Sequence, residues 1–107
     1  MIIVVDADSA AVSLEDPENF RAFLVRALGA DTSAPKLASA VGGLGLVTDD
    51  GGHIFIEPEA LTSLAGELGR SAQWQASLLA MIGFAAKSGW VDDAGRVRAH
   101  VERDAAN

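Results

Sequence analysis

Two carboxylates stand one residue apart at the end of an apolar run, in the opening stretch MIIVVDAD, as Asp6 and Asp8. Paired aspartates delivered by a strand can hold Mg²⁺, a hard cation that takes oxygen ligands, and so support phosphoryl transfer. A second acidic pair, Asp49 and Asp50, precedes Gly51, Gly52 and His53 and presents oxygen and imidazole donors together. A third group is cationic. Arg96, Arg98 and His100 alternate through the segment GRVRAHVER, and guanidinium forks match carboxylates and phosphates.

The first motif resembles the opening of haloacid-dehalogenase-type phosphatases, which begin with a hydrophobic strand and an Asp-x-Asp pair. That resemblance implies Asp6 as nucleophile, Asp8 as acid/base, and Asp49 or Asp50 as metal ligands. The chain departs from the pattern in several places. Ala10 stands where the family carries Thr, no Lys sits in a phosphate-binding context, and Gly51-Gly52 mark a hairpin tip rather than a strand end. A chain of 107 residues is also too short for that family's larger parallel sheet. Asp6 and Asp8 are therefore expected to end a strand and form a turn.

The other motifs fall to similar tests. The glycines of GGLG follow a predicted helix and precede a strand, the reverse of a dinucleotide cradle. One His beside two aspartates falls short of the three or four ligands a zinc site takes. None of the serines lies in a G-x-S-x-G elbow. No catalytic residue, metal or cofactor is expected. The cationic strand stays as the candidate binding feature, with Asp6 and Asp8 as further polar contributors if the first and last strands are neighbours.

Composition narrows the class. Hydrophobic residues make up 50% and charged residues 21%, the balance of a globular domain. The net charge of −7 opposes nucleic acid, whose binding rests on Lys and Arg, and equally opposes anionic membranes. A winged-helix reading fails because the hairpin tip would be Asp-Asp-Gly-Gly. With no cysteine there is no disulfide or thiolate metal site. The first twenty residues lack Lys and Arg, so no secretory leader is expected, and the uncharged stretch 71–86 is too short to span a bilayer. A cytoplasmic protein is expected.

The scaffold reads as β-α-α-β-β-α-α-β. Met1 to Val5 form a strand and DADSAAVSLE a loop. In DPENFRAFLVRALG, Phe20, Phe23, Leu24, Ala27 and Leu28 fall at helical spacing, Asp16 and Pro17 suit its start, and Gly29 its end. A short helix over TSAPKLASAVGG precedes a hairpin, LGLVTDDGGHIFIE, whose Asp-Gly suggests a type I′ turn and whose Ile54 and Ile56 share a face. PEALTSLAGELG gives a third helix. SAQWQASLLAMIGFAAKSG gives a long apolar one, stopped by Gly89 and Trp90. The final strand alternates Val97, Ala99 and Val101 against Arg96, Arg98 and His100. This is a single α+β domain over residues 1–107, with a small mixed or antiparallel sheet and helices mainly on one face.

The C-terminal third, AAKSGWVDDAGRVRAHVE, is similar to short, functionally uncharacterised actinobacterial proteins, in its Gly-Trp stop, acidic turn and R-x-H-V-E strand. The resemblance implies no catalytic residues. Two functions follow as expectations. One is a non-enzymatic accessory or protein-interaction domain, a homodimer through Trp74, Leu78, Phe84 and Trp90. The other is a small enzyme or anionic-ligand-binding protein using Arg96, Arg98, His100, Asp6 and Asp8. A wedge-shaped cavity lined by Phe20, Phe23, Trp74 and Trp90 would favour the second.

Overall fold

A computed structural model describes residues 1–103. Among them six strands make one mixed sheet: β1 (Ile2–Asp6), β2 (Ala11–Glu15), β3 (Leu24–Leu28), β4 (Gly45–Val47), β5 (His53–Ile56) and β6 (Val97–Arg103). Their order across the sheet is β2-β1-β3-β6-β5-β4. The two pairings of β3, with β1 and with β6, are parallel, and the rest are antiparallel. Three helices, α1 (Ala34–Val41), α2 (Pro58–Leu64) and α3 (Ala72–Lys87), complete an α+β fold. A 3₁₀ turn over Gly66–Arg70 joins α2 to α3, so the helix expected through Gly69 is shorter.

The element order differs from the sequence reading at two places. The segment expected to be a helix from Asp16 to Leu28 instead turns through residues 16–22 and then forms β3. Three observations explain the difference. Asp16 adopts a left-handed φ of 49°, which a helix N-cap does not take. The carbonyls of Asn19 and Ala22, which a helix would need, accept from the Met1 amino group, and the Leu24 N–H donates to the Met1 carbonyl. Val25 and Ala27 also alternate with Leu24, Arg26 and Leu28, and both are buried in the centre of the sheet. Apolar residues at these positions satisfy both periods, and nonlocal pairing selects the strand. The expected loop over residues 11–15 is likewise an edge strand, β2, with only Val12 and Leu14 turned inward.

One face of the sheet meets the helices. Ile3, Val5, Val25, Ile54, Ala99 and Val101 pack against Leu37 and Val41 of α1, Leu61 of α2, and Trp74 and Leu78 of α3. Each large side chain buried there contributes about 1.5–3 kcal/mol. Gly45 admits β4 to this sheet, because a Cβ on it would lie 2.5 Å from the Phe55 carbonyl oxygen.

Candidate functional site

The acidic exit of β1 is engaged with backbone N–H groups. Asp6 Oδ1 accepts from the N–H groups of Asp8 and Ser9 at 3.0 and 3.3 Å, an Asx-type turn into β2. The Asp8 carboxylate accepts from the Ala30 N–H at 3.3 and 3.4 Å, tying that turn to the loop after β3. Asp50 does similar work in the β4–β5 connection. It accepts from the Gly52 N–H and the Thr48 hydroxyl, both at 2.8 Å, and these bonds hold its carboxyl below the ordinary aspartate value. The connection is a side-chain-braced loop over residues 49–52 rather than the expected two-residue turn. Among the described residues no group of three or more His, Asp or Glu is placed to hold a metal ion.

The cationic strand divides. Arg96 Nε donates to Asp92 Oδ2 at 2.7 Å and lies 3.9 Å from Glu57, so it braces the turn before β6. Burial pushes the Asp92 carboxyl up, but the bonds from the Arg96 amide and guanidinium outweigh it and hold the carboxyl below its usual range. Arg98 and His100 take no part in that turn. They line a cavity of about 310 Å³, at the lower end of small-molecule sites.

The cavity follows from strand register. β6 begins at Val97, but its pairing with β3 begins only at His100. On that side residues 97–99 meet only the short ribbon made by Trp90 and Val91, where the Arg98 N–H donates to the Trp90 carbonyl at 2.8 Å. The ribbon is placed by the end of α3. The Gly89 N–H donates to Ala86, the Trp90 N–H donates to Ala85, and Gly89 takes a φ of 79°. This is the Schellman stop expected from Ser-Gly-Trp. Into the remaining gap come Phe20, Arg21 and Phe23 from the segment before β3, and Met81, Phe84 and Ala85 from α3.

His53 enters from β5. It is the register partner of His100, and the two imidazoles meet edge-on with centroids 5.7 Å apart. The Arg98 guanidinium sits 5.7 Å from the centroid of the Trp90 ring, a cation–π contact that leaves its N–H donors unused. No Asp or Glu lines the cavity. Arg26, Arg96 and Arg103 all have partners in Glu15, Asp92, and the carbonyls of Thr32 and Gly51. Arg21 and Arg98, the two on the cavity, have no side-chain hydrogen bond or ion pair among the described residues.

The predicted residues thus separate into three groups. Arg98, His100, Phe84 and Trp90 converge on the cavity. Asp6 and Asp8 do not, since β3 lies between β1 and β6, and Asp6 sits about 20 Å of strand away from Arg98. Trp74 and Leu78 are core rather than interface, at 3% and 2% exposure. The Trp74 indole donates to the Pro17 carbonyl at 2.8 Å and its ring lies against Phe20. Trp90, by contrast, is 41% exposed at the cavity rim and is not core. Sequence reasoning weighed His53 only as a metal ligand and did not single out Arg21. The one available signal was the pairing of two β-rich segments that each carry a His, and its register is not written in either.

No family model, curated protein or solved structure matches this chain. Its function has to be read from the cavity itself.

Proposed function

We propose that this protein is a non-enzymatic binding module for a small organic anion with an apolar body, held in the cavity between β3, β6 and the end of α3. One observation carries this. Among the described residues only Arg26 and Arg96 of the six arginines pair with a carboxylate, and two of the four that do not, Arg21 and Arg98, are set with both histidines around an aromatic cavity. Phe20, Phe23 and Met81 supply the apolar wall, and Phe84 and Trp90 the rim. Arg21 and Arg98 supply N–H donors for a carboxylate or a comparable oxyanion. The surrounding negative surface favours ligands small enough to enter and disfavours polyanions. A cytoplasmic setting is part of this proposal; among the described residues no helix is long and apolar enough to cross a membrane.

A thermal-shift comparison of aryl carboxylates with their uncharged amides tests it. The acids are expected to raise the melting temperature and the amides to leave it unchanged. Equal stabilisation by both, or by neither, would reject the anion-binding role.

A further inference from the structure

The second face of the sheet carries no helix beyond the end of α3 that walls the cavity. Strand alternation sets Ile2, Val4, Leu24, Leu28, Leu46 and Phe55 on it, while the core cluster shared with all three helices draws its strand residues only from the opposite face. Five of these six are half-buried by their strand neighbours, and Leu46 is 52% exposed. They form two apolar patches, one on β1 and β3 and one on β4 and β5, separated by the polar row Arg98, His100 and Glu102 of β6, and a sheet face left uncovered in this way is a docking surface in want of an occupant.

The charges on that face say which occupant. Glu15 and Arg26 reach across β1 to pair at 3.3 Å and neutralise each other. The remaining charges are polarised along the strands. Arg98, His53 and His100 lie toward the start of β6, whereas Glu102 and Asp6 lie toward its end. We propose that this face is the contact between two copies of the chain, stacked with their strands running in opposite directions. In that arrangement the cationic end of each copy meets the acidic end of the other, as an isologous contact requires, so association and anion binding compete for Arg98. Aligned packing of two sheet faces is an ordinary solution for such surfaces. A basic partner fits less well, because this face nearly balances its charges while most of the net charge of −7 lies elsewhere on the chain. The outward side of α3 exposes Leu79 and Phe84 but offers no opposed charges to orient a copy.

Sedimentation equilibrium of the full chain tests this, with circular dichroism verifying that each variant is folded. The wild type is expected to be a dimer. Arg98→Glu and Glu102→Arg each make the polarised ends alike in sign and are expected to raise the dissociation constant about tenfold, and mixing the two variants restores association. Neither side chain makes a hydrogen bond or ion pair within the described residues, so these reversals do not load the fold. Val4→Lys in the β1–β3 patch is expected to give monomers, and Leu79→Glu on α3 to leave the dimer intact. A monomeric wild type, a dimer indifferent to both reversals, or a dimer lost in Leu79→Glu would overturn the proposal.

Discussion

The two ends of the sheet carry opposite chemistry and treat it differently. At the end where β1 exits, Asp6 and Asp8 are conspicuous in the sequence, yet their oxygens are taken up by the N–H groups of Asp8, Ser9 and Ala30. At the end where β6 begins, Arg98 and His100 sit beside Arg21 and His53 with no acidic residue on the cavity they share. The first end uses its charge to close turns. The second keeps donors unspent in an apolar setting, the condition under which a charge-assisted hydrogen bond to a ligand is strongest. Residue type therefore identifies a candidate, and the count of unsatisfied donors decides between candidates.

The comparison can be broken most forcefully at the cationic end. Arg98→Gln removes a charged donor while keeping a side chain of similar reach, and is expected to weaken binding of an aryl carboxylate by about 2 kcal/mol, measured by calorimetry. Its effect on the melting temperature is expected to be small, because Arg98 makes no side-chain hydrogen bond among the described residues. At the acidic end the outcome reverses. Asp6→Ala loses the turn bonds and is expected to cost about 1 kcal/mol of stability in urea titration, with carboxylate affinity unchanged. An Asp6→Ala protein that folds normally but has lost its binding would show that the assignment of roles is inverted.

A smaller effect sharpens the same contrast through pH. The carboxyls of Asp50 and Asp92 have folded pKa values below their unfolded ones, so each adds stability above the ordinary aspartate range, lost as pH falls through the folded value. An acid titration followed by circular dichroism is expected to show stability declining on that limb, and the decline to shrink in Asp50→Asn. A slope unchanged in that variant would mean that the Gly52 and Thr48 bonds do not favour the charged form.

Much of the scaffold was legible because it is local. The alternation of β6, the inward Ile54 and Ile56 of β5, and the Gly89–Trp90 stop of α3 each follow from neighbouring residues. The strand β3 was not legible. Phe20, Phe23, Leu24, Ala27 and Leu28 satisfy a helical stripe, and only parallel neighbours on both sides make the alternation of Val25 and Ala27 the favoured one. The site shows the same division. Arg98, His100 and Trp90 were visible within one stretch, whereas His53 joins them through the register of β5 on β6, and Arg21 through a turn that replaces an expected helix. The expected cavity included Trp74, which the structure places on the far side of Phe20, hydrogen-bonded to Pro17.

The chain has two tryptophans on opposite sides of this distinction, and they allow one decisive measurement. In a ¹H–¹⁵N spectrum the Trp74 indole reports the core and the Trp90 indole reports the cavity rim. On titration with phenylacetate, the Trp90 indole signal is expected to move and saturate while the Trp74 signal stays in place, and phenylacetamide is expected to move neither. If phenylacetate leaves Trp90 unmoved, or if the amide shifts it as far as the acid does, the cavity is not an organic-anion site.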